Sequence, residues 1–422
     1  MSFNKLTGAI LLALASQAAN ASGFALIEQS ASGQGLSYAG AAANAEDASV
    51  MWFNPAGLTE IEGSQAILGA HIISPVAKFS DEGSAGPFGE FGGGGDDGAT
   101  LGLVPNLYWK GKFADYDVGL GINVPFGQHI SYDENWAGRY LATETNLKTI
   151  NINPAIARKI NDQLSFGFGL NAQYVNLIME SKLDNRLAGS GAGDANAKLE
   201  ADSWAFGYNF GLLFQPTKQT DLGFSYRSKV THDAKGDVDY TDVVNAGALT
   251  TLVDADISST VNLPATASFS VKHQYNNNFA VLADATWTQW SDYKELVIEY
   301  EDADSDQPDS NTRQDFKDSW RLSLGGIYQL NDDMKLRAGV AFDQTPVSDE
   351  TNRSPRTPDS DRKWLSFGVG YKLSQAMNLD VGYTHIFAEK VDVNYTTDDA
   401  QFLIGSYDAS VDILSAQLVW KY

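Results

Sequence analysis

The sequence contains no cysteine, which rules out a disulfide-stapled scaffold and leaves an exported chain to draw its stability from the fold itself. Basic residues are scarce: 29 Lys and Arg stand against 53 Asp and Glu, a formal charge of −24. Nucleic-acid binding rests on clustered Lys and Arg, so a nucleic-acid partner is excluded. No stretch after the N-terminus approaches the ~18–20 apolar residues of a spanning helix. That excludes a helical membrane protein, but not a transmembrane β-barrel, whose strands are short and alternate. Catalytic patterns are missing too. There is no Gly-x-Ser-x-Gly elbow, and His71, His129, His232, His273 and His385 are scattered, with no His-Glu-x-x-His spacing. No catalytic residue, metal site or cofactor is assigned. An outer-membrane lipid hydrolase is the rival from another class, and a lipase assay on purified protein separates it. Gly92–Gly98 lacks the Lys-Ser/Thr ending of a phosphate-binding loop and reads as a flexible loop tip.

What is present begins with export. Lys5 precedes the apolar run Ala9–Ala15, and Ala19-Asn20-Ala21 fits the small-x-small cleavage rule. Residues 1–21 are therefore expected to be a signal peptide, with Ser22 the first mature residue. Beyond residue 64 a period of two dominates. In the last strand Leu414, Ala416, Leu418, Trp420 and Tyr422 oppose Ser415, Gln417, Val419 and Lys421. Leu336, Ala338, Val340 and Phe342 likewise oppose Lys335, Arg337 and Asp343.

Such faces alone do not separate a sandwich from a barrel; loop lengths do. Short polar turns (Asn161-Asp162, Asn276–Asn278, Asn331–Asp333, Ser374-Gln375) alternate with long loops at 80–100, 129–146, 180–201, 236–256, 291–315, 346–361 and 392–410. Short periplasmic turns, long outer loops and an even strand number describe a transmembrane antiparallel β-barrel. About fourteen strands fit, over residues 64–422, with both mature termini in the periplasm. The third strand is expected at 116–128 and the last at 411–422. The acidic run from Glu301 to Asp315 falls in an outer loop. It is read as solvated surface, with divalent cations bridging it to lipopolysaccharide as the alternative.

Residues 22–63 do not alternate. They carry Phe24, Leu26, Ile27, Leu36, Tyr38, Trp52 and Phe53 in a small-residue background, too apolar for a solvated tail. Large barrel lumens are filled by loops or helices, so this segment is expected to be a hatch plugging the barrel. A general porin, the competing reading, needs an open lumen and would give large steady currents in planar bilayers; a surface adhesin or phage receptor is a further alternative.

The start Ser22-Gly23-Phe24-Ala25-Leu26, the later Asn54-Pro55-Ala56, and the pieces Val104-Pro105-Asn106, Leu164–Gly167, Tyr226-Arg227-Ser228, Asn262-Leu263-Pro264, Gly339–Val347 and Pro358–Ser366 together resemble the long-chain fatty-acid transporters of the bacterial outer membrane (the FadL/Tod-X family) along nearly the whole chain. The resemblance implies a monomeric, passive channel for a hydrophobic small molecule. The molecule is caught among the outer loops, passes to a pocket closed by the hatch, and leaves sideways into the outer-membrane lipid through a kink in the third strand. It places Phe24 against the ligand, with Leu199 a further contact. The kink falls at Pro125-Phe126-Gly127, and Asn54-Pro55-Ala56 would sit beside it as a gate element. The two cations expected to meet a carboxylate align on Ser181 and near Thr312, so their neighbours Lys182 and Arg313 are the candidates. If neither reads a carboxylate, an uncharged aromatic or alkane is the alternative cargo.

Overall fold

The computed structural model describes residues 23–189, 191, 193–244, 252–301, 307–397 and 401–422; the expected signal peptide lies outside them. No described helix is long and apolar enough to cross a membrane. Instead, fourteen wall strands follow one another: β1 (Gln65–Asp81), β2 (Gly102–Phe113), β3 (Tyr116–Asn123 and Gly127–Ser131), β4 (Glu144–Lys159), β5 (Leu164–Leu183), β6 (Ala195–Thr217), β7 (Thr220–Arg227 and Val230–Thr241), β8 (Ala255–Leu263 and Thr266–Asn276), β9 (Phe279–Thr288 and Glu295–Tyr300), β10 (Ser319–Gln329), β11 (Met334–Asp343), β12 (Arg362–Lys372), β13 (Met377–Ala388 and Val391–Thr396) and β14 (Phe402–Lys421). Each pairs antiparallel with the next. β14 then returns to β1 in unbroken register from Gln65↔Lys421 to Asp81↔Gly405, closing the barrel.

The orientation of the faces identifies the solvent. On β11, Leu336, Val340 and Phe342 are exposed, whereas Arg337 and Asp343 are each 4% exposed. A water-soluble sheet would do the opposite, so this belt faces lipid. Three of the short turns share one device. The side-chain oxygens of Asn161, Asn276 and Asn331 each accept from two backbone N–H groups just ahead, at 2.9–3.0 Å, which closes the hairpin locally.

Most boundaries differ from expectation at the outer ends. β5 and β6 run further, and β14 starts at Phe402 rather than 411. Above the lipid belt, ladder pairing persists although the lipid-facing apolar signal has ceased. Gly92–Gly98 is likewise no free tip. β1 pairs with β2 only up to Ile73, so higher on β1 the Ala77 and Phe79 amides donate to Asp97 Oδ1 (2.9 Å) and Asp96 O (2.7 Å).

Residues 23–63 fill the lumen as an irregular chain with two one-turn helices, α1 (Ala31–Gln34) and α2 (Val50–Phe53), and a 3-10 helix, Pro55–Glu60. It approaches the wall backbone to backbone. A Cβ at Gly167 would collide with the Pro55–Ala56 peptide, and one at Gly339 with Leu36. Inward wall charges grip what the glycines admit. Arg321 donates to Ser37 O at 2.8 Å, and Lys110 to Ile61 O (2.6 Å) and Gly63 O (2.9 Å). Arg337 bridges hatch Glu46 (2.5 Å) and wall Asp380 (2.8 Å).

Two predictions follow from this seam. Arg337→Met leaves Glu46 and Asp380 buried without their shared cation, which should cost ~3–5 kcal/mol of hatch docking. Hydrogen exchange over residues 31–53 should accelerate accordingly while the wall stays protected. Glu28 is 1% exposed and its Oε2 has no hydrogen-bond partner among the described residues. Burial raises its pKa from 4.5 to about 7, against the opposing pull of a backbone N–H and Arg362. A carboxyl whose folded pKa is raised contributes stability below its unfolded value, and that contribution is lost as pH rises through the folded one. Hatch protection should therefore fall between about pH 5 and 8 in the wild type and fall less in Glu28→Gln. A wild-type profile as flat as the variant's would show that Glu28 does not titrate there.

Candidate ligand pocket and gate

Between the outer halves of β4–β9 and the loops above them lies a cavity of about 400 Å³, within the range of small-molecule sites. Its walls are apolar because β5–β9 turn Met179, Leu199, Ala234, Val238, Ile257 and Leu296 inward. Phe24 forms its floor, packed edge-on against Trp290 (centroids 4.8 Å) and Tyr293 (5.4 Å) and tilted against Phe126 (6.1 Å). On the hatch side of Phe126 a second cavity of about 140 Å³ is lined by Leu26, Ile27, Phe53, Pro125 and Phe126 among others.

The wall is interrupted beside this floor. β3 stops at Asn123 and resumes at Gly127, since Pro125 has no N–H to give the ladder. The N-terminal segment supplies the missing partners. Leu26 N donates to Pro125 O (2.8 Å), and Gly127 N donates to Phe24 O (2.9 Å), making Ala25 and Phe126 an antiparallel bridge. Gln29 Nε2 donates to Val124 O (2.9 Å), and Phe126 N donates to Thr149 Oγ1 (3.0 Å). The break is thus stitched by hatch residues 24–29. Phe24 serves twice, its ring as floor and its carbonyl as stitch.

Several expectations need correcting against this geometry. Phe24 and Leu199 do line the cavity, and Pro125, Phe126 and Gly127 do form the break. Asn54-Pro55-Ala56 is elsewhere. Asn54 Nδ2 donates to Leu212 O on β6 (2.9 Å) and to Ala42 O (2.7 Å), and its Oδ1 accepts from Ala56 N (3.0 Å). It docks there across two wall glycines, Gly167 and Gly211, where a Cβ would collide with the Pro55–Ala56 peptide and with Asn54 Oδ1. The side chain that meets a carbonyl freed by the break is that of Gln29, which no local sequence signal marks.

Lys182 and Arg313 do not reach the cavity. Lys182 Nζ turns to Glu134 (3.0 Å) and Asn196 (2.7 Å), and Arg313 pairs with Asp315 in solvent. Both lie in strands, at β5 and at Ser310–Arg313, where neighbours point to opposite faces. Ser181 and Thr312 take the inward positions. The cation at the cavity is one the sequence did not single out, Arg356, in the outer loop between β11 and β12.

Comparison with known proteins agrees with this geometry. A family model described as outer membrane protein transport protein (OMPP1/FadL/TodX) matches residues 12–422. The long-chain fatty acid transport protein of Escherichia coli O157:H7 is 31% identical over 427 residues, covering 93% of this chain and 94% of that protein. Outer membrane protein P1 of Haemophilus influenzae (strain ATCC 51907 / DSM 11121 / KW20 / Rd) is 29% identical over 428 residues, covering 92% and 91%. Among solved structures, a Pseudomonas aeruginosa FadL homologue matches with a TM-score of 0.86 at 25% identity, over 94% of this chain and 99% of that one. The Pseudomonas putida toluene transporter TodX shares the fold, with a TM-score of 0.69 at 18% identity, over 92% and 98%. A lipid-facing closed barrel, a lumen filled by its own N-terminal segment and a match across nearly the full length lead to one assignment: this chain belongs to the FadL/TodX family of outer-membrane transport proteins.

Proposed function

We propose that this protein is a passive uptake channel for long-chain fatty acids or hydrophobic molecules of similar shape, gated by the hatch, with lateral exit at the β3 break. The observation that carries the reading is the double role of Phe24: the residue beneath the apolar cavity is also bonded to the interrupted wall. A ligand that displaces the Phe24 ring disturbs the bond sealing the wall. The energetics favour a sideways route. A tail of about fourteen methylenes costs on the order of 11 kcal/mol to leave in water, so release into the bilayer avoids a barrier that release into the periplasm would meet. Nothing in such a route requires an energy source, and closure of β14 on β1 leaves no wall edge needing a second copy. We therefore read it as a monomer. Ser181 and Thr312, neutral where cations were expected, favour a second reading in which the cargo is an uncharged hydrocarbon.

Because the chain has no cysteine, the gate can be locked without background. Ala25 and Phe126 form a non-hydrogen-bonded antiparallel pair, the closest cross-strand spacing and one compatible with a disulfide. Ala25→Cys with Phe126→Cys, expressed in cells lacking their own transporter, should lose fatty-acid uptake on oxidation and regain it on reduction. Each single variant should ignore the oxidant. Uptake that continues in the oxidised double variant would mean that the substrate does not leave through the β3 break.

A further inference from the structure

The cavity is apolar in most of its lining but not in its charge. Among the described residues that line it there is no Asp, Glu or Lys, and Arg356 is the one permanent cation. Arg356 is also held in place. Its Nη1 donates to Glu144 O (2.6 Å) and Thr145 Oγ1 (2.8 Å) and its Nη2 to Glu180 O (3.1 Å), spanning the outer ends of β4 and β5. Its own carbonyl accepts from Gln128 Nε2 at 2.5 Å. Every one of these acceptors is neutral, and among the described residues Arg356 forms no ion pair. Of the five N–H donors of a guanidinium, three are spent in this way. Burial lowers its pKa to about 10, which leaves it charged at neutral pH.

A half-buried guanidinium without a carboxylate is costly unless something completes it. Ser354 and Thr357 beside it in the loop, and Tyr395 close by, are polar members of the lining, whereas β5–β9 contribute an apolar cluster. One cavity therefore has an apolar body and a single cationic end, which matches a molecule with one anionic headgroup and a long tail. We propose that Arg356 is the residue of this chain that reads the ligand carboxylate, in place of a cation at positions 181–182 or 312–313. The inference rests on the fatty-acid reading given above and decides between its two kinds of cargo. An ionised carboxylate would take the two remaining donors as charge-assisted hydrogen bonds, while an alkane or alcohol would gain little from them.

The test compares palmitate with hexadecanol on detergent-purified, heat-modifiable barrel. Arg356→Met should weaken palmitate binding about 10–100-fold and change hexadecanol binding less than about 2-fold, with Arg356→Lys recovering part of the loss. Lys182→Met and Arg313→Met should leave palmitate binding unchanged. Equal losses for acid and alcohol would mean that Arg356 only shapes the loop, and unchanged palmitate binding would remove it from recognition; either result overturns the proposal. A second measurement needs no variant. The carboxyl of 13C-labelled palmitate bound to the wild type should remain ionised at least about one pH unit below its free value, as beside an opposite charge. Titration at or above the free value overturns the assignment. Failure of the wild type to bind either ligand would instead overturn the fatty-acid reading itself.

Discussion

A wall in lipid must satisfy each of its backbone N–H and C=O groups internally, because no water is there to do it. Most of this barrel meets that condition with paired strands and closes by zipping β14 to β1. At Val124, Pro125 and Gly127 the wall does not satisfy itself, and hatch residues 24–29 complete its hydrogen bonds. The hatch is thus more than an obstruction in a pore. Over a few residues it is a surrogate strand, so its position and the integrity of the wall are one variable. The Phe24 ring links that variable to the cavity.

The fold was legible because the lipid belt imposes a period of two on every strand. Leu336, Val340 and Phe342 declare one face and Arg337 and Asp343 the other, and Asn at three of the short turns declares reversals. Legibility failed where that solvent contrast ends. Above the belt both faces of a strand meet protein, water or cavity, so the outer stretches of β5, β6 and β14 read as loop. The same failure explains the misplaced cations. Lys182 and Arg313 seemed close enough to reach the pocket while their segments were taken for loops; once those segments are strands, one residue's shift is a change of face. Arg356 could not be found by periodicity, since its loop approaches the cavity by tertiary folding. Asn54 and Gln29 offered no sequence contrast by which to assign one to the wall break and the other to β6.

The hatch is held differently from an ordinary core. Small residues and wall glycines bring backbones together, and charged groups such as Arg321, Lys110 and the Glu46–Arg337–Asp380 set lie across the seam. Ion pairs of this kind are weak as net stabilisers but severe when mismatched. They hold one docking position and penalise others, which fits the gating proposed for the hatch.

The path of the chain also dictates an order of construction. The hatch is made first, and its exit is clasped by reciprocal bonds between Ser64 and Tyr422, N to O at 3.2 Å and 3.0 Å. The strand carrying that clasp, β14, is the last wall strand to be made, and its pairing with β1 is the most sequence-distant contact in the barrel. Long-range contacts of this kind form late, because the entropy of closing the intervening chain must be met first. Until the seam zips, the sheet is an open ribbon and offers the hatch only part of its docking surface: Asn106 Nδ2 on β2 donates to Glu28 O (2.8 Å), whereas Ala31 N donates to Gln417 Oε1 on β14 (2.8 Å). Closure of the seam thus brings together the two sides of the surface on which the hatch rests.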